Sequence, residues 1–135
     1  GMFGFHANPD DPDWQGWWGD EPPFHYPVYV LTHTARAPMT FANGTVFEFV
    51  DTTPRAALDL ALAAAGDQDV RVGGGAAVVR EYLKAGLVDR LHVGIAPILI
   101  GSGDSLWADL RGLERDYDVT SEVAESGIVH VTFSR

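Results

Sequence analysis

The chain has 135 residues, with nineteen acidic against nine basic side chains and a formal net charge of −10. That length suits one domain, and 46% hydrophobic residues place it among globular chains that bury a core without disulfides or metal. Nine scattered Lys and Arg exclude a duplex-binding surface, which needs clustered cations to displace counterions. The absence of cysteine excludes a disulfide framework, a thiolate metal site and a cysteine nucleophile, and it fits a reducing, cytoplasmic setting. No apolar run reaches the ~18 residues of a membrane span. No basic segment followed by an apolar stretch opens the chain, so no signal peptide is expected. Gly1-Met2 reads as a start methionine behind a residual tag glycine.

In chain order, residues 1–27 hold three of the four tryptophans and five prolines, without helical or strand periodicity. Trp14, Trp17 and Trp18 either cover apolar surface or line a substrate. PVYVLTH (Pro27–His33) reads as a buried strand, and TVFEFV (Thr45–Val50) as a second. In DTTPRAALDLALAAAG, Thr53 caps a helix, Pro54 opens it and Gly66 follows its end. Leu58, Ala61, Leu62 and Ala65 recur at helical spacing. DVRV (Asp69–Val72) reads as a short strand, Gly73-Gly74-Gly75 as a loop, and AAVVREYLKAG as a second helix with Val78, Val79, Tyr82 and Leu83 on its apolar face. DRLHVGIAPILIG predicts a long strand that Pro97 bulges and whose end, Ile98-Leu99-Ile100, is buried on both faces. YDVTSEVAESGIVHVTFSR is a hairpin around Glu125-Ser126-Gly127. The order β, β, α, β, α, β and hairpin predicts a single α/β domain over 1–135, a mostly parallel sheet covered by helices on both faces, with antiparallel strands at one edge.

Two stretches are candidate ligand sites. The glycine run follows a strand and opens a helix, where backbone N–H groups and the helix dipole favour a phosphate. It is neither a P-loop, which needs a lysine, nor the dinucleotide fingerprint, whose third glycine position is Val78. Spacing alone leaves a ligand loop and a plain turn both open. Thr32-His33 at a strand end, with Arg36, is a candidate phosphate contact or an ordinary polar turn. The five histidines show no metal spacing, and His92 and His130 read as sheet-face residues. Asp10, Asp11 and Asp13 read as solvated. Asp67, Asp69, Asp89 and Asp104 flank elements as caps and turn residues. No catalytic carboxylate pair and no Gly-x-Ser-x-Gly elbow is present.

VYVLTH, DVRVGGGAAVVREYLKAGLVDRLHVGIAPILIGSG and the closing hairpin together resemble the dihydrofolate reductase-like superfamily. The resemblance is to the branch of the C-terminal reductase domain of the bacterial riboflavin-biosynthesis deaminase–reductase. It covers roughly Phe3 to the C-terminus. It implies an NADPH-dependent reductase acting on a small heterocyclic substrate, pterin- or aminouracil-like, or on a carbonyl compound. It sets Gly73, Gly74, Gly75, Ala76 and Ala77 against the cofactor pyrophosphate, and Thr32 and His33 near the adenosine 2′-phosphate. It also implies a cis peptide between Gly73 and Gly74. Family members begin with a strand and a helix before a Gly-Arg-x-Met-Phe-Gly stretch, whereas here Met2-Phe3-Gly4 opens the chain. The expectation is therefore an N-terminally truncated reductase whose unpaired strand edge recruits a second copy, giving a homodimer or larger homo-oligomer. No catalytic acid and no metal ligand is assigned. The alternatives are a reductase-fold binding or assembly protein that has lost turnover, and an unrelated α/β domain in which the glycines are a hinge.

Overall fold

The computed structural model describes residues 3–4, 11 and 13–135, so the readings of His6 and Asp10 lie outside it. The chain divides into two compact units, Gly1–Gly75 and Ala76–Arg135.

The first unit holds strands β1 (Pro27–Leu31), β2 (Met39–Thr40) and β3 (Val46–Val50) and helix α1 (Pro54–Ala65), with sheet order β1-β3-β2. β1 and β3 are parallel, from Pro27 beside Val46 to Leu31 beside Val50. β2 returns antiparallel through a turn in which Gly44, at φ +89°, donates to the Phe41 carbonyl at 3.1 Å. α1 forms on local signals. The Thr53 hydroxyl accepts from Ala56 N–H at 3.3 Å, Pro54 takes the first position, and Gly66 closes the end at φ +64°. Ala57 is buried, and α1 packs on β1. Leu62, expected on the inner face, is 45% exposed.

The core of this unit is aromatic. Phe47 is wholly buried. The rings of Phe3, Phe41 and Phe24 meet it edge-on at centroid distances of 5.3, 5.7 and 5.9 Å, and Trp18 stacks on it at 5.6 Å. Such pairs add about 0.5–1.5 kcal/mol each beyond the area they bury. The Trp14 indole N–H donates to the Phe3 carbonyl at 2.9 Å, and its ring meets Trp17 at 4.7 Å. Trp18 therefore covers apolar surface, whereas Trp17, 59% exposed, lies over Gly4. It leaves no room for a side chain at Gly4, where a Cβ would stand 2.5 Å from Trp17 Nε1. Buried Thr45 anchors the tryptophan-rich segment: its hydroxyl donates to Pro22 O at 3.1 Å and accepts from His25 N–H at 3.0 Å.

The second unit holds helix α2 (Ala76–Lys84), strand β4 (Arg90–Ile95), a 3-10 turn at Leu113–Asp116, and strands β5 (Asp118–Val123) and β6 (Val129–Ser134). The sheet order is β4-β6-β5, all antiparallel. β5 and β6 form the expected hairpin, with Gly127 at φ +81°. α2 buries Tyr82 and Leu83, as its periodicity predicts. It ends in a Schellman motif: Gly86 N–H donates to Leu83 O and Leu87 N–H to Tyr82 O, both at 3.0 Å. The Tyr117 hydroxyl donates to Val88 O at 2.7 Å, and the Arg135 guanidinium lies over the Tyr117 ring at 5.1 Å.

Three sequence expectations change. The sheet is not mostly parallel, because one of the four strand pairings among the described residues is parallel. Asp69–Val72 alternates as a strand would, with Val70 and Val72 half-buried and Asp69 and Arg71 exposed, yet forms no strand. An alternating pattern specifies a face, while a strand also needs a partner with which to exchange hydrogen bonds. The long strand stops at Ile95. Pro97 does more than bulge it: Ile98 N–H donates to Ala96 O at 2.9 Å, a three-residue turn around the proline. Ile98, Leu99 and Ile100, expected to be buried, are exposed.

Candidate functional site

β1 and β3 run in the same direction, so the residues that follow them gather at one end of the sheet. Thr32 extends the pairing by one residue, its N–H donating to Val50 O at 3.0 Å. Its hydroxyl then accepts from Thr34 N–H at 3.0 Å and turns the chain. His33 projects into solvent with its side chain 94% exposed, and its Nδ1 lies 2.7 Å from Asp51 Oδ1. Asp51 stands directly after β3 and two residues before the cap of α1. The structure thus joins Thr32 and His33 to an acid that the sequence reading passed over. The available signal was positional: two parallel strands ending in His33 and Asp51 put both at the same sheet end, where open α/β sheets bind ligands.

Arg36 was expected beside Thr32 and His33. Its guanidinium carbon lies 5.9 Å from the Phe3 ring centroid and 5.7 Å from that of Phe49. The cation is therefore spread over the aromatic core, where such contacts contribute about 0.5–1 kcal/mol or more.

Gly73-Gly74-Gly75 closes the first unit, and Ala76 and Ala77 open α2 of the second. Gly74 has φ +95°, a conformation that favours glycine. The cis peptide joins Gly74 to Gly75, one bond later than the expected Gly73-Gly74. Three successive residues without Cβ give the sequence no feature by which to choose between the bonds. A Cβ added at Gly74 or Gly75 would meet no atom within 4 Å, so the loop is open to close approach. The first turn of α2 carries no acidic side chain, leaving its N–H groups without a built-in anion.

Neither of two cavities includes these residues. One, of about 340 Å³, is lined by Leu83, Leu91, Trp107, Leu110, Tyr117 and Phe133, with Asp109, Arg111 and Glu114 also present. The other, of about 440 Å³, borders Gln15, Asp20 and residues 39–42. Burial raises the Tyr117 phenol above its ordinary range, with Asp89 and Asp116 adding to the rise and Arg135 opposing it. Burial, then Glu81, raises Tyr82. Among the described residues no three His, Asp or Glu side chains cluster as metal ligands, and no helix is long and apolar enough to cross a membrane.

The family described as the RibD C-terminal domain matches residues 6–129. A Bacillus subtilis (strain 168) protein, YyaP, described as uncharacterized, is 27% identical over 66 residues, which is 49% of this chain and 35% of that protein. The chain thus spans about a third of that relative's length. A pyrimidine reductase-like protein from Corynebacterium diphtheriae has a crystal structure that superposes with a TM-score of 0.47 at 23% identity, over 67% of this chain and 38% of that one.

Proposed function

The chain belongs to the RibD C-terminal domain family, and from that premise we propose that it is an NADPH-dependent reductase-type domain. The substrate in this reading is a small heterocycle, pterin- or aminouracil-like, or a carbonyl compound. The nicotinamide supplies hydride, while the protein binds and orients. Gly73, Gly74, Gly75, Ala76 and Ala77 face the pyrophosphate. Thr32 and His33 face the adenosine 2′-phosphate.

The observation that carries this reading is the glycine loop. It has a positive-φ residue at Gly74, open space above Gly74 and Gly75, and a following helix whose first turn holds no acid. All three suit a diphosphate approaching backbone N–H groups. His33 also fits: with Nδ1 held by Asp51, its Nε2 is left to turn outward. Tryptophan fluorescence titrated with NADPH tests the proposal. Saturable quenching that is lost in Gly74→Leu supports it, and absence of quenching at millimolar NADPH contradicts it.

A second reading is a reductase-fold binding or assembly protein without turnover. NADPH binding without NADPH oxidation across heterocyclic and carbonyl substrates would select it. In both readings the protein is a homodimer or larger homo-oligomer. Among the described residues β1 pairs only with β3 and β4 only with β6, which leaves an edge on each for another strand. Light scattering behind size exclusion measures this directly.

A further inference from the structure

The polar face of the second sheet carries a histidine pair that the reductase reading does not use. His92 lies on β4 and His130 on β6. They are diagonal neighbours, since His130 is in register with Gly94 and His92 with Thr132. The imidazoles are nearly parallel, at 4°, with centroids 5.1 Å apart, and His92 Nε2 meets His130 Nδ1 at 3.0 Å. Gly94 lies across from the His130 ring. A Cβ there would already stand 3.9 Å from His130 Cε1 and Nδ1, so a larger side chain would compete with the ring for the space across β4. Glu122, in register with His130 on β5, adds a carboxylate on the same sheet face.

We propose that His92 and His130 form a two-imidazole site for a divalent transition metal, selective for Cu²⁺ over Zn²⁺. One proton now joins the two facing nitrogens. Moving it to the far nitrogen of its own ring leaves both lone pairs directed inward without changing either ring's charge. With metal–nitrogen bonds of about 2.0–2.1 Å, a 3.0 Å nitrogen separation subtends an angle of about 94° at the metal. That is close to the cis angle of a tetragonal site, and a ring shift of about 0.3 Å would reach a tetrahedral separation, so the preference for Cu²⁺ rests on the intrinsic order of metal affinities. The exposed His92 ring is free to swing so that the two lone pairs converge beside the nitrogen–nitrogen line. Water completes the coordination. The Irving–Williams order favours the same metal. The 38-residue separation hides the pair from any local spacing rule.

The test is titration of the full chain with Cu²⁺ against a weak competing chelator, read by absorption and by electron paramagnetic resonance. The proposal expects one equivalent with hyperfine structure from two imidazole nitrogens. His92→Gln and His130→Gln should each weaken this site by about tenfold or more, and Zn²⁺ should bind the native chain more weakly by a similar factor. His33→Gln, which alters the other described imidazole beside a carboxylate, should change Cu²⁺ affinity by less than about twofold. Circular dichroism establishes that each variant is folded. Native affinity in folded His92→Gln and His130→Gln variants, or a spectrum carrying only oxygen ligands, overturns the proposal and assigns the metal to the acidic surface.

Discussion

The two units bury their apolar residues by different means. In the first, four large rings from the irregular start and the β2–β3 turn close around Phe47 of β3, so a three-stranded sheet gains a covered face without a helix over that cluster. In the second, the apolar residues are mostly aliphatic and cover is partial. Leu83, Trp107, Leu110 and Tyr117 shelter Leu91 and Phe133 at one end of the sheet. Ile95 at the other end is 46% exposed, and the Ile98-Leu99-Ile100 run beyond it is 67, 103 and 79% exposed. A Phe or Trp buries 150–250 Å² with two torsions to order, so a few of them close a small core. Aliphatic strand residues need a second layer along their whole length.

The contrast can be broken at several points. Phe47→Ala should have the largest effect, costing about 3–5 kcal/mol, because the cavity it leaves is ringed by aromatics that pack against one another as well as against Phe47. Urea unfolding followed by tryptophan emission reads this, since three of the four tryptophans lie in that unit. A loss below about 1 kcal/mol would mean that the rings re-close without Phe47.

Asp51→Asn sharpens the polar end of the same unit. A carboxylate accepts a ribose hydroxyl and repels a phosphate, so its neutral amide should raise the ratio of NADPH to NADH affinity by about three- to tenfold. Isothermal titration with both cofactors measures the ratio, and an unchanged ratio would remove His33-Asp51 from the cofactor site.

Tyr117→Phe probes the sheltered end of the second unit. It removes the bond to Val88 O and should cost about 0.5–1.5 kcal/mol. The pH dependence follows from the raised phenol. A folded-state pKa above the unfolded value gives stability that is complete below the ordinary tyrosine range, near 10, and is lost as pH rises through the folded value. The native chain should therefore lose stability above about pH 10 more steeply than Tyr117→Phe, as alkaline melts will show. Parallel losses would detach Tyr117 from the alkaline transition.

The smallest effect belongs to the bare end. Serine at Ile98, Leu99 or Ile100 should change stability by no more than about 0.5 kcal/mol each. A loss of several kcal/mol at Leu99 would show that the run is covered in solution, and light scattering of the same variant would then report whether a second copy covers it.

The same contrast explains what could be read from the sequence. α1 was legible to the residue because Thr53, Pro54 and Gly66 act within one turn of the ends they set. The hairpin at Glu125–Gly127 was legible for the same local reason. Asp69–Val72 and Ile98–Ile100 were read as strands on composition and alternation. Pairing depends on a distant partner that no local pattern names, and Pro97 ends the second run by withholding a donor and turning the chain. At the candidate site, the glycine loop and Thr32-His33 were visible as motifs. Asp51 was not, because its role depends on β1 and β3 being parallel neighbours.

The central claim is that Gly73–Ala77 faces a cofactor diphosphate. Amide chemical shifts of the isotopically labelled chain, followed during an NADPH titration, test it most directly. The account predicts saturable shifts at Gly73, Gly74, Gly75, Ala76 and Ala77, with further shifts at Thr32 and His33 and none at Ile98–Ile100. Shifts confined to the Trp107–Phe133 cavity, with the five loop and helix-start amides unmoved at saturation, would contradict it.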